Sequence, residues 1–114
     1  MSLTPDVQLK LLKEPWKPPH DFVFPVSIEG KRVRRFNASW LGQFPWLAYS
    51  PGMEGAYCKH CVLFANRHPS CGAIGALVIA PLKRYKDALV NFRDHQKAAY
   101  HQEALENSRE FLSL

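Results

Sequence analysis

Cysteine is scarce in this chain and odd in number: three among 114 residues. A small secreted domain held by disulfides shows an even framework, so that class is set aside in favour of a reducing compartment. Long apolar runs are also missing. The longest mostly apolar stretch, 73–82, contains Gly75 and Pro81, and falls well short of the about 20 residues that span a bilayer. No membrane association is therefore expected. The N-terminus lacks a charged head followed by an apolar block, so no secretory signal is read there. Its first residues, Met-Ser-Leu, are compatible with an expression leftover, and the chain with a piece of a longer protein. Internal repeats and low-complexity tracts are absent. No nucleophile and base stand at a recognisable spacing, so no catalytic residue, no enzyme activity and no small-molecule substrate are expected.

Hydrophobic residues are abundant at 46%, and aromatics at 12%. That is enough for a packed core and excludes general disorder. The length suits one domain, read as a flexible arm over 1–18 and a single domain over 19–114. The formal charge is +5, an excess available to a polyanion.

The motif with most chemical content is Cys58-Lys59-His60-Cys61, answered later by His95 and His101. Two thiolates and two imidazoles in two tight pairs are a tetrahedral donor set for one structural Zn2+. On a straight helix, six positions advance about 9 Å and turn about 240° net, which keeps two imidazoles apart. The spacing therefore predicts a kink or loose turn between His95 and His101, although 96–99 contains no breaker. A redox CxxC is disfavoured, because the βαβ context of that motif is missing. His60 sits inside the knuckle and is expected to point away from the ion. Cys71 remains an alternative fourth ligand, in a Cys3His set. His68 and His20 read as solvated loop residues.

The expected fold class is α+β: a short hairpin whose turn presents the CxxC, and C-terminal helices carrying the two histidines. Pro5, Pro15, Pro18 and Pro19 restrict the N-terminal segment to a helical turn or two over 7–13. Residues 22–26 read as a short edge strand ended by Pro25, and Glu29-Gly30 as a turn. Asn37 caps a short helix through Phe44. Residues 46–49 are extended, 50–52 form a turn, and 56–58 with 61–64 flank the knuckle. Residues 66–81 read as a loop. Helical spacing places amphipathic helices over 82–94 and 98–112.

Cations fall into two groups. Lys31, Arg32, Arg34 and Arg35 form a short basic loop. Lys83, Arg84, Lys86, Arg93 and Lys97 follow the helix that bears the histidines. A cationic loop suits phosphate contact and a helix suits a major groove, so both groups are candidate contacts with double-stranded DNA. Charges opposite an apolar stripe are also what any soluble helix shows. A protein partner, bound through apolar residues such as Phe111, Leu112 and Leu114, is the alternative.

Four segments in order, PHDFVFP (19–25), RRFNASWLGQFPWLAYS (34–50), YCKHCVLF (57–64) and YKDALVNFRDHQKAAYH (85–101), resemble the TTF-type zinc finger. That module occurs in hAT-type transposases and in host proteins derived from them, and its ligand pattern is similar to that of the BED finger. The resemblance covers about 19–105. It implies zinc ligation by Cys58, Cys61, His95 and His101, and structural roles for Phe36, Trp40, Trp46 and Tyr57. It also implies sequence-specific DNA binding, a nuclear location, and a catalytic or dimerisation region beyond residue 114. One departure is visible: the family's Gly and Trp ahead of the long helix are replaced by Ala80-Pro-Leu-Lys-Arg-Tyr85.

Overall fold

The computed structural model describes residues 4–64, 77, 78 and 80–113. Its order is α1 (Pro5–Lys13), β1 (Val26–Glu29), β2 (Arg32–Arg35), α2 (Ser39–Gln43), β3 (Leu47–Ser50), β4 (Gly55–Cys58), α3 (Lys59–Phe64), α4 (Ala88–Lys97) and α5 (Ala99–Leu112). This is a small α+β fold with two antiparallel hairpins, β1–β2 and β3–β4.

Local chemistry explains most boundaries. Thr4 caps α1, its hydroxyl accepting the Val7 N–H at 3.3 Å, and Pro5 takes the first helical position, where a missing N–H costs nothing. The stretch read as an arm thus contributes a helix that docks: Leu12 is buried, and Lys59 Nζ donates to its carbonyl at 3.3 Å. The Asn37 side chain accepts the Ser39 N–H at 2.9 Å, fixing the start of α2. Strand β1 starts after Pro25 rather than ending at it. Pro25 cannot donate to a ladder, so pairing begins with Val26 opposite Arg35. The basic residues expected in a loop over 31–35 mostly lie in a strand, β2.

Strands β3 and β4 pair from Leu47 with Cys58 to Ser50 with Gly55. The chain reverses over 51–54, where Glu54 takes a left-handed φ of 53°. The CxxC is therefore at the open end of the hairpin and not in its reversal. Cys58 closes β4, and the chain turns directly into α3, so the second flank of the knuckle is helical. The Lys59 N–H still bonds the Trp46 carbonyl at 3.0 Å, one further step in the β3–β4 register, before the chain curls into α3.

Helix α4 begins at Ala88, six residues later than spacing over 82–94 suggests. Leu82 is held instead as an isolated bridge against Ala56, with N–H to carbonyl distances of 2.9 and 2.7 Å. Gly55 permits this approach, since a Cβ there would sit 2.6 Å from Pro81 Cβ. A tertiary pairing thus overrides helical periodicity, and Lys83, Arg84 and Lys86 precede the helix instead of lying on it. Most of the loop read over 66–81, with His68 and Cys71, lies outside the described residues.

The core is aromatic. Tyr49 and Phe92 are essentially fully buried. Phe24, Phe36, Tyr49 and Tyr85 pack in sequence from the β1–β2 side, with Phe36–Tyr49 centroids at 5.0 Å and Phe36–Tyr85 at 6.0 Å. Trp40, Phe44 and Trp46 close around Phe92 at 5.5, 5.2 and 5.9 Å. These are the offset and edge-to-face distances that favour aromatic pairs.

Candidate metal centre

Four elements deliver one donor each. Cys58 ends β4, Cys61 lies in the first turn of α3, His95 in the last turn of α4, and His101 in the first turn of α5. Their ligand atoms all lie within 4.8 Å of one another, and all four residues are buried. The Cys61 N–H points at Cys58 Sγ at 3.4 Å, so the backbone turn itself favours a thiolate there.

The two histidines converge because the helix breaks between them. Ala98 is extended, with φ −67° and ψ 141°. Its N–H still bonds the His95 carbonyl at 3.0 Å, and the His101 N–H bonds the Ala98 carbonyl at 3.1 Å. No proline or glycine causes the break. Tertiary contacts stabilise it instead. Trp46 packs against both imidazoles, with centroids at 4.8 Å from His95 and 5.4 Å from His101. Its indole N–H donates to Gln96 Oε1 at 3.2 Å. The Gln102 side-chain amide donates to the Gln96 carbonyl, one of those the last turn of α4 leaves without a helical partner.

The donor spacing fits zinc. Metal arms of about 2.3 Å to sulfur and about 2.1 Å to nitrogen give a tetrahedron with S···N edges of about 3.6 Å. Cys58 Sγ lies 3.5 Å from His101 Nδ1, Cys61 Sγ 3.5 Å from His95 Nε2, and Cys61 Sγ 3.4 Å from His101 Nδ1. The four residues are consistent with a single structural Zn2+, ligated by two Sγ, one Nε2 and one Nδ1. Ligation of His95 through Nε2 leaves its proton on Nδ1, which then donates to Tyr100 Oη at 3.3 Å. Such a partner fixes tautomer and ring orientation.

The thiols have the electrostatics of a metal site. Burial would raise Cys58, but hydrogen bonds from Cys61, His101, His95 and the Cys61 N–H outweigh it and hold it low. Cys61 is pushed up, by its hydrogen bond to Cys58, by burial and by the Cys58 charge. One proton leaves the pair readily; the second stays unless a cation offsets the doubled charge.

His60 turns away from the donors and meets the buried Ser108, Nδ1 to Oγ 2.8 Å. His20 is exposed. Phe111 packs on Phe64 with centroids at 5.7 Å, which leaves Leu112, 40% exposed, as the open apolar residue at that end of the described chain. Three supporting residues escaped the sequence reading of the site: Tyr100, Ser108 and Glu29. Tyr100 and Ser108 carry no signal beyond ordinary helical sequence, and Glu29 reads only as part of a turn.

The cations divide by environment. Lys31, Arg32, Arg35, Lys83, Arg84, Lys86, Arg93 and Lys97 are exposed. Arg34 faces inward, its Nε 3.6 Å from Glu29 Oε1. The Glu29 carboxylate also accepts the N–H of Tyr85 at 2.8 Å and of Lys86 at 2.9 Å. Burial would raise this carboxyl, but the bonds from Tyr85, Ser27 and Lys86 and the Arg34 charge hold it below its ordinary value. One ionised side chain thus ties the β1–β2 hairpin to the segment 83–86.

No protein-family model, curated protein or solved structure matches the chain. The site itself defines the class: a domain closed by a buried Cys2His2 centre of zinc type.

Proposed function

We propose that this domain is a zinc-stapled DNA-binding module, one that positions itself on duplex DNA through basic residues. The observation that carries the reading is the Glu29 tether. By accepting two N–H groups from 85 and 86, Glu29 ties the hairpin that carries Lys31, Arg32 and Arg35 to the segment that carries Lys83, Arg84 and Lys86. These six exposed cations come from two segments about half the chain apart in sequence, joined by that one carboxylate. The Glu29–Arg34 and Glu106–Arg109 pairs are the ion pairs among the described residues, and neither involves those six. A surface of this kind suits a polyanion.

The resemblance to the TTF-type finger of hAT transposases points the same way, and with it a nuclear setting. Four protein ligands complete the tetrahedron, so the zinc has no open position and the module is read as non-catalytic. The metal holds the surface in shape and does not touch DNA.

The test is a titration of the zinc-loaded domain against duplex DNA at several salt concentrations. If all six cations neutralise phosphates, log K falls against log salt with a slope of about −5. A variant with Lys31→Gln, Arg32→Gln and Arg35→Gln loses about 3 from that slope. Absence of binding to any duplex at low salt refutes the reading.

A further inference from the structure

The β1–β2 hairpin is built inside out. Cross-strand partners share a face, so Val26 with Arg35 and Ile28 with Val33 form one face, and Ser27 with Arg34 and Glu29 with Arg32 the other. The face that turns inward carries Glu29 and Arg34, both partly buried, with Arg32 exposed at its end near the tip. The face that turns outward carries the aliphatic residues: Ile28 is 75% exposed, Val33 66% and Val26 47%. A half-buried ribbon ordinarily shows the reverse alternation. Three β-branched apolar side chains facing water, on a ribbon whose tip and edge carry Lys31, Arg32 and Arg35, describe a surface that receives a partner.

The charge selects the partner. Glu29 is the acidic residue of the hairpin, and its carboxylate is turned inward to Arg34 and the 85–86 backbone. The outward face therefore presents Val26, Ile28 and Val33 beside Arg35, with Lys31 at the tip. A duplex major groove matches both features. It is about 12 Å wide, admits a two-stranded ribbon, and displays thymine methyl groups beside purine acceptors. Two strands about 4.8 Å apart, four residues long, fit that width with their side chains.

We propose that the outward face of the β1–β2 ribbon is the sequence-reading element, seated in the major groove of duplex DNA. Val26, Ile28 and Val33 lie against thymine methyls, Arg35 reaches a guanine edge, and Lys31 and Arg32 hold phosphates at the ribbon tip. This rests on the DNA-binding reading above and moves base recognition from the histidine-bearing helix to the hairpin.

The experiment starts from a random-duplex selection with the zinc-loaded domain. The selected duplex is then compared with a copy in which deoxyuridine replaces thymidine, a change that removes only the major-groove methyls. Each lost methyl contact costs about fourfold in affinity. The expected result is weaker binding of the uracil duplex by wild type, and a smaller difference between the two duplexes for Ile28→Thr/Val33→Thr, the remainder coming from Val26 and the threonine methyls. Threonine keeps the β-branch, and both positions are exposed, so zinc content and circular dichroism should match wild type. Val90→Ala, a change at an exposed residue of α4 (52%), should keep the discrimination. Wild type that selects a sequence yet ignores the methyl loss, or a double variant that retains full discrimination, overturns the ribbon assignment while leaving DNA binding intact. Wild type that binds no duplex removes both proposals. Concentration-dependent dimerisation abolished by Ile28→Thr/Val33→Thr, with the duplex preference unchanged, assigns the face to self-association and also overturns it.

Discussion

Removing the metal should unfold the domain, and the size of the effect follows from where the donors sit. The four ligands come from β4, α3, α4 and α5, so the ion joins the second hairpin to the entire C-terminal half. A domain of 114 residues carries about 6–17 kcal/mol of stability at about 0.05–0.15 kcal/mol per residue. Structural zinc in finger peptides contributes about 10–16 kcal/mol at neutral pH. The metal term is therefore as large as the whole margin. Without it, two thiols and two imidazoles remain buried with only one another as partners, and Cys61 resists giving up its proton. The aromatic cluster around Phe92 and Tyr49 does not make up that loss. The assay is a far-UV circular dichroism melt of wild type, of wild type with excess chelator, and of Cys58→Ser. Chelated wild type and the variant should both lose the cooperative transition, and zinc should restore it in wild type alone. A chelated protein that still melts cooperatively within about 5 °C of the zinc-loaded form, a shift of about 1 kcal/mol, would refute the reasoning.

Phe92→Ala removes a ring enclosed by Trp40, Phe44 and Trp46, and should cost about 3–5 kcal/mol in denaturant unfolding of the zinc-loaded protein; Phe92→Leu should cost less. Ser108→Ala deletes the partner of His60 Nδ1 at a buried position, with an expected loss of about 0.5–1.5 kcal/mol and an unchanged zinc stoichiometry. Tyr85 gives a pH signature. Burial, with the nearby Tyr49, Glu29 and Glu54 charges, pushes its hydroxyl from 10.0 up to about 12. Folding thus favours the protonated form, and that contribution is intact below pH 10 and lost as pH rises toward 12. Tyr85→Phe should flatten the fall in stability across that window; an alkaline limb identical to wild type would count against the burial.

Much of the donor set was legible because metal chemistry leaves a local record. C-x2-C spacing and two histidines in helix-forming sequence identify the ligands, and the incompatibility of six helical positions with a shared ion predicts the break that Ala98 supplies. What holds that break was not legible. Trp46 lies half the chain away from Gln96, and Gln102 acts on a carbonyl that only the broken helix exposes. The late start of α4 was hidden for the same kind of reason. Residues 82–87 have acceptable helical spacing, but the bridge from Leu82 to Ala56 wins, and only the room left by Gly55 allows it. Glu29 shows the limit most clearly. A turn-forming Glu-Gly is visible in any sequence, whereas its carboxylate bonding the backbone at 85 and 86 is a property of the assembled fold.

X-ray absorption at the zinc edge of the loaded protein tests the metal centre most directly. Two sulfurs at about 2.3 Å and two nitrogens at about 2.0–2.1 Å are expected, with one ion per chain and the same spectrum for Cys71→Ser. A third sulfur lost in Cys71→Ser, or an oxygen ligand that marks an open position, would contradict a closed centre made of Cys58, Cys61, His95 and His101.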